Sequence, residues 1–178
     1  MIKNFIFKLL NIIALFKGAK IGFNSCIHPS HDFLNVTLSN VSIGRNVLIG
    51  RDAWISTLSK KFGGKINIGD DTKIGRNFVC HSLSKITIGS GCLFSYSVSL
   101  LDHNHKFEIN KSPTVTGIDE AREINIGSNC FIGAHSFILK GVHLGDGCVV
   151  AANSLVNKSF PKNSLVGGSP AKLIKEIK

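Results

Sequence analysis

The sequence predicts an all-β solenoid, a β-helix of short parallel strands, and three observations carry that prediction. Apolar residues followed by glycine recur six positions apart: Ile43-Gly44 and Ile49-Gly50, Ile68-Gly69 and Ile74-Gly75, Ile126-Gly127 and Ile132-Gly133. The register extends into sets of three, namely Ile43, Ile49, Ile55; Ile68, Ile74, Cys80; Ile88, Phe94, Leu100; Ile126, Ile132, Ile138; and Leu144, Val150, Val156. A long irregular segment, residues 101–123, then breaks the repeat once. Helices repeat apolar positions at three and four and plain strands at two, so a period of six marks short strands separated by turns at fixed intervals.

Residues 1–20 come first and read as an amphipathic helix. In IKNFIFKLLNIIALFK the polar Asn4, Lys8 and Asn11 fall on one stripe of an otherwise apolar segment. The stretch is too short and too interrupted by lysine to span a bilayer. A helix covering the open end of the solenoid is the expected role, with peripheral membrane contact as the alternative.

Residues 21–160 form the β-helix. Three six-residue sides close a triangular coil, and five such coils at the usual strand spacing make a prism about 24 Å long. The register residues point inward, and the glycines after them are expected at turns needing positive φ. Cys92, Cys130 and Cys148 share one place in the hexad and are expected to stack as small, partly buried residues. On two sides the residue after the inward one is mostly Gly, but on the third it is Ser56, His81, Leu101, Leu139 and Asn157. One corner of the prism is therefore chemically distinct, and the insertion leaves from it. Residues 161–178 follow as a C-terminal tail with a short helix, its lysines Lys172, Lys175 and Lys178 forming a basic face. All of this makes one domain.

Composition narrows the function. The chain of 178 residues is 43% hydrophobic with 18 glycines and four prolines, a globular composition. Five cysteines without a CxxC pair indicate neither a disulfide framework nor a zinc knuckle, which fits a reducing cytoplasm. A net charge of +10 favours an acidic partner. No nucleic-acid motif and no interleaved aromatic platform accompany that charge, so nucleic acid is not expected.

A loop this long in a compact repeat fold is uncommon unless it is functional, and it begins LDHNH. Neutral imidazole can take a proton from a hydroxyl or amine attacking an activated ester, which makes His103 and His105 candidate general bases. Asp102 can hold one ring in a fixed tautomer through a hydrogen bond.

The hexads IGRNVLIGRDAW and INIGSNCFIGAHSFILKGVHLGDGCVVAANSLVNKSFPKNSLVGGSPAKLIKEI resemble the hexapeptide-repeat acyltransferases over residues 36–178. The resemblance implies a left-handed parallel β-helix, a homotrimer with active sites between subunits, and acetyl-CoA as acyl donor without a metal. It places the base at His105 and makes His103 a neighbour that orients it or meets the acceptor. His81 and Phe131 fall at acceptor-side positions, Phe131 standing where the family often has Trp and so lacking the indole N–H. Ala134 and Ala152 match small residues beside the pantetheine arm, with backbone donors near Ala134 facing the oxyanion. Asn157 and Lys158 follow, and Lys172 and Lys175 stand where basic residues meet the CoA phosphates.

γ-Class carbonic anhydrases use the same solenoid, but HPSH at 28–31 and HNH at 103–105 do not match their zinc-ligand spacing. The expectation is therefore acetyl transfer to a hydroxyl of a sugar or cell-surface polysaccharide unit, in the cytoplasm or at the inner face of the membrane. N-Acetylation of an amino sugar nucleotide or xenobiotic is the enzymatic alternative, and a trimeric binding scaffold the non-enzymatic one.

Overall fold

The computed structural model of the protein describes residues 12–32, 36–58 and 62–178. Three stacks of short strands form the sides of a coil. Sheet A comprises β1 (Lys20–Ile21), β3 (Val41–Ile43), β6 (Lys65–Ile68), β9 (Lys85–Ile88), β12 (Ile124–Ile126) and β15 (His143–Leu144). Sheet B comprises β2 (Cys26–Ile27), β4 (Leu48–Ile49), β7 (Lys73–Ile74), β10 (Leu93–Phe94), β13 (Phe131–Ile132), β16 (Val149–Val150) and β18 (Ser164–Gly168), closed by β19 (Ala171–Glu176). Sheet C comprises β5 (Trp54–Thr57), β8 (Val79–Ser82), β11 (Ser99–Leu101), β14 (Phe137–Leu139) and β17 (Leu155–Val156). Apart from the β18–β19 pair, pairing between these strands is parallel and in register, with Ile43 beside Ile68, Ile74 beside Phe94 and Leu100 beside Ile138.

All fifteen register residues are buried, none more than 4% exposed, and they form one continuous core. Each aliphatic side chain so removed from water contributes about 1.5–3 kcal/mol before entropy is counted. The six strands of sheet A define six turns, one more than the register suggested. The added turn is the first, where Ile21 pairs with Ile43 and Ile27 with Ile49.

The glycines have a different cause from the one expected. Gly44, Gly50, Gly75 and Gly133 do not adopt positive φ; that conformation falls two residues later, on Asn46, Asp52, Asn77 and His135. Asparagine and aspartate tolerate it best among residues with a Cβ. The glycines instead permit close approach between coils. A Cβ on Gly75 would lie 2.7 Å from the Ser95 carbonyl carbon, and one on Gly133 would lie 2.5 Å from the Ala152 nitrogen.

Cys92, Cys130 and Cys148 are fully rather than partly buried. Each thiol faces a carbonyl of the next coil, of Gly127, Gly145 and Pro161 at 3.1, 3.3 and 3.1 Å. Thr72 makes the same bond to Gly89 one coil earlier, at 3.0 Å. The stack thus satisfies corner carbonyls that point into the core.

At the ends, residues 12–16 are helical, while residues 1–11 of the expected N-terminal helix lie outside the described residues. The expected C-terminal helix is instead a strand. β19 folds back antiparallel on β18 after Gly167 and Gly168, the latter at φ +103°. The last coil leaves an open edge on sheet B, and the unpaired amides and carbonyls there are met by strand pairing, which a helix could not supply.

The outer faces differ. Sheet A presents Ser42, Asn67, Thr87, Asn125 and His143 in one row. Sheet B presents Leu48, Lys73, Leu93 and Phe131, and sheet C presents Trp54 and Phe137; these apolar side chains are 39–52% exposed.

Candidate functional site

The insertion departs after β11, where sheet C gives way to sheet A, and its base is zipped. The Arg122 amide donates to Asp102 O at 2.8 Å, the Asp119 amide to Asn104 O at 2.9 Å, and the Lys106 amide to Gly117 O at 3.1 Å. His105 forms a β-bridge with Ile118. Lys140, one coil further on, reaches Asp119 Oδ2 at 2.6 Å and Glu120 O at 3.0 Å. At the loop's far end Ser112 caps a single helical turn, Pro113–Thr116. The backbone is therefore fixed, while Phe107, Ile109 and Val115 project into solvent at 74–92% exposure.

Beneath the loop lies a buried polar column of Thr57, Ser82 and Asp102, each at 0% exposure. Asp102 accepts from Ser82 Oγ at 2.7 Å, from the Leu83 amide at 2.9 Å and from the Ser84 amide at 2.9 Å. Its Oδ1 also lies 3.0 Å from His103 Nδ1. Burial alone would raise the carboxyl pKa, but hydrogen bonds from His103, Leu83, Ser82 and Ser84 outweigh it and hold the group below its ordinary value. The carboxylate is therefore ionised at neutral pH and accepts from a protonated His103 Nδ1, which fixes the ring.

The rings continue outward in a row. His103 meets His81 edge-on at 5.0 Å, and His81 tilts against Trp54, also at 5.0 Å. Burial, then the charge of His103, pushes the His81 pKa down against the pull of Asp102, so His81 is a neutral ring at pH 7. The His103 side chain is only 10% exposed. His105 is exposed instead, lining a surface hollow of about 300 Å³ with Asn104, Lys106, Phe107 and Asp119. Of the two histidines, one is anchored and the other is open to a ligand.

A second group occupies the corner joining sheets B and C. Ala134 and Ala152 sit there on successive coils, the Asn153 amide donating to Ala134 O at 2.8 Å. Lys172, paired with Gly167, lies at the corner's C-terminal end, and Phe131 precedes Ala134 on the outer face of sheet B. Lys175 pairs with Leu165 further along β18. Small side chains followed by basic ones suit a slender arm ending in phosphates.

The structure thus gathers the expected site residues into two groups. His81, Asp102, His103 and His105 share the corner between sheets C and A, where Asn157 and Lys158 also emerge after β17. Phe131, Ala134, Ala152 and Lys172 share the other corner. Trp54, Ser82 and the amides of Leu83 and Ser84 were not anticipated. Trp54 carried a signal, as the one tryptophan of the chain beside a register residue; the amides carried none. Among the described residues no His, Cys, Asp and Glu side chains gather in threes to hold a metal ion.

The described residues thus form a parallel β-helix whose long loop carries an exposed histidine beside an anchored Asp–His pair, with small residues at the corner joining sheets B and C. A family model described as the hexapeptide repeat of succinyl-transferase matches residues 123–158. The chain is 33% identical over 144 residues to WcaF of Escherichia coli (strain K12), named for an acetyltransferase of colanic acid biosynthesis, covering 78% of this chain and 71% of that protein. A mutant of AntD, an N-acyltransferase from Bacillus cereus solved with dTDP and coenzyme A, superposes with a TM-score of 0.76 at 25% identity, covering 89% and 84% of the two chains. The hexapeptide-repeat acetyltransferase VCA0836 from Vibrio cholerae O1 biovar eltor, solved with acetyl-CoA, gives a TM-score of 0.65 at 26% identity, covering 95% and 76%. The chain belongs to the hexapeptide-repeat acyltransferase family and is an enzyme of that family, an acetyltransferase.

Proposed function

We propose that the protein transfers acetyl from acetyl-CoA to a hydroxyl of a sugar or cell-surface polysaccharide unit, with His105 as general base. The observation that carries this reading is the exposed His105 imidazole, held on a β-bridge two residues beyond the anchored His103. A base must reach both the acceptor hydroxyl and the thioester. His103, 10% exposed and engaged by Asp102 and His81, has little room for either.

In this mechanism Ala134 and Ala152 admit the pantetheine arm to the backbone of their corner, and Lys172 and Lys175 meet the phosphates. Asn157 and Lys158 approach from the neighbouring corner. His105 takes the proton as the acceptor oxygen attacks the thioester carbonyl. Backbone donors near Ala134 face the developing oxyanion, and the thiolate of CoA leaves and is reprotonated. Asp102 and His103 fix the turn from which His105 projects, while His81 and Phe131 border the acceptor.

The two residue groups lie at different corners of one chain, so a complete site draws one group from each of two subunits. The apolar outer faces of sheets B and C support a homotrimer that covers them, leaving the polar face of sheet A to water. No described helix is long and apolar enough to cross a membrane. Five free cysteines fit the cytoplasm, where this reading places the protein, with the N-terminal segment as its contact to the inner membrane face.

WcaF supports a polysaccharide acceptor. One observation favours a second reading, transfer to an amino group: the similarity to AntD spans 89% of the chain.

Paired variants test the base. His105→Ala is expected to lower kcat about 10²–10⁴-fold with the KM for acetyl-CoA little changed. His103→Ala is expected to lose less activity and to lower thermal stability as well. Full turnover in His105→Ala with turnover abolished in His103→Ala would transfer the role to His103.

A further inference from the structure

The corner between sheets B and C continues past the two alanines toward the N-terminal coils, and its composition changes there. The residue two places after the inward one is Arg51, Arg76, Tyr96, Ala134 and Ala152 on five successive coils. A ladder of bonds shows that these positions stack. The amides of Asn77, Ser97, His135 and Asn153 donate to the carbonyls of Arg51, Arg76, Tyr96 and Ala134 at 2.8, 2.9, 3.1 and 2.8 Å. The Arg76 guanidinium lies 5.6 Å from the Tyr96 ring centroid, and His135 meets the other side of this cluster edge-on to Tyr96 at 5.0 Å. Arg51, Arg76 and Tyr96 are all exposed.

Neither arginine has an ion-pair partner among the described residues. The contrast with the corner joining sheets A and B is informative. Arg45 there, at the same place in its hexad, is held by Asp70 through Nε at 3.0 Å and Nη2 at 2.8 Å. Asp52, the carboxylate next in sequence to Arg51, makes no such bond to it. Two guanidiniums without ion-pair partners stand on adjacent coils whose backbones stack about 5 Å apart, so long flexible arms can bring both to one anionic group, and guanidinium forks bind phosphate oxygens two-pronged.

We infer that Arg51 and Arg76, with Tyr96, bind the diphosphate of a glycosyl diphosphate acceptor. This rests on the reading above, in which the donor passes Lys172, then Ala152, then Ala134. Its thioester then points along the corner toward Tyr96 and Arg76. The acceptor sugar occupies the coil of Tyr96, and its anionic link lies one to two coils, about 5–10 Å, beyond the reacting hydroxyl. A nucleotide and a polyprenyl carrier both present that group.

The test is binding, read without turnover. Wild type and the double variant Arg51→Gln, Arg76→Gln are titrated by calorimetry with dTDP, with UDP, and with farnesyl diphosphate below its micelle concentration. Acetyl-CoA serves as the control probe, and light scattering and thermal melts check assembly and fold. The expected result is saturable binding of at least one diphosphate to wild type, weakened at least tenfold in the double variant, with acetyl-CoA affinity, mass and melting unchanged. Preference for dTDP or UDP assigns a nucleotide carrier, and preference for farnesyl diphosphate a polyprenyl one. Three results would overturn the inference: no diphosphate binding at millimolar concentration, equal binding by the double variant, or a loss confined to acetyl-CoA affinity or to assembly. Arginine-dependent diphosphate binding without any acetyl transfer would count against the proposed reaction and leave this site standing.

Discussion

At the scale of single residues, two polar groups in the interior show how position decides chemistry. Asp102 is a charge fully removed from water, an arrangement that survives only because a hydroxyl, two amides and an imidazole meet it. It was legible as a partner for a loop histidine, but its anchoring by Leu83 and Ser84 was not, because nothing local links residue 102 to residues 83 and 84. His31 is the second group. Its ring is buried, Nε2 accepts from the Ile55 amide at 3.2 Å, and burial pushes its pKa down to about 4, against the pull of Asp32 and that backbone bond. The folded state thus resists a proton that the unfolded chain takes up near pH 6.5. Stability from this group is full above pH 6.5 and falls as pH drops toward 4, by about 3 kcal/mol at most. Denaturant melts between pH 7 and 4.5 should show a shallower decline for His31→Gln than for wild type. Equal slopes would mean that His31 does not titrate as its burial requires.

At the scale of elements, the repeat was legible because each coil restates it, and the misreadings have local causes. The first turn escaped notice because sixteen positions separate Ile27 from Ile43, so the period of six lapses just after it is established. AKLIKEIK fits a helix and a strand equally well by pattern; the open edge of sheet B, a property of the assembled fold, decided for the strand. The glycines were placed correctly but explained wrongly, since a steric demand from the next coil is invisible along the chain. That demand is testable. Gly75→Ala places a Cβ against the backbone of Ser95, where no side-chain rotation gives relief, and should cost about 1–3 kcal/mol or more in chemical denaturation. A variant as stable as wild type would show that the coils can part without penalty. The loop was legible as an interruption carrying histidines. Its internal pairing, with His105 opposite Ile118, was not, because residues 101–123 have no periodicity to read.

At the scale of the whole molecule, a prism with one polar and two apolar faces is expected to cover the apolar pair with further copies of itself. The protein should elute with a mass three times the 19.2 kDa of one chain. Phe137→Asp, on the outer face of sheet C, should shift that mass toward the single chain, and light scattering would detect either outcome. In the proposed mechanism assembly brings the loop histidines of one copy to the small-residue corner of another, so acetyl transfer should fall with it. The most direct measurement of the central claim uses acetyl-CoA labelled in the acetyl group, offered with sugar, nucleotide-sugar and polysaccharide acceptors, the product then being exposed to mild alkali. Acceptor-dependent label that mild alkali releases is the predicted result, because it identifies an ester formed at a hydroxyl. Label that survives the treatment as an amide, or no acceptor-dependent label with any of the three classes, would contradict it.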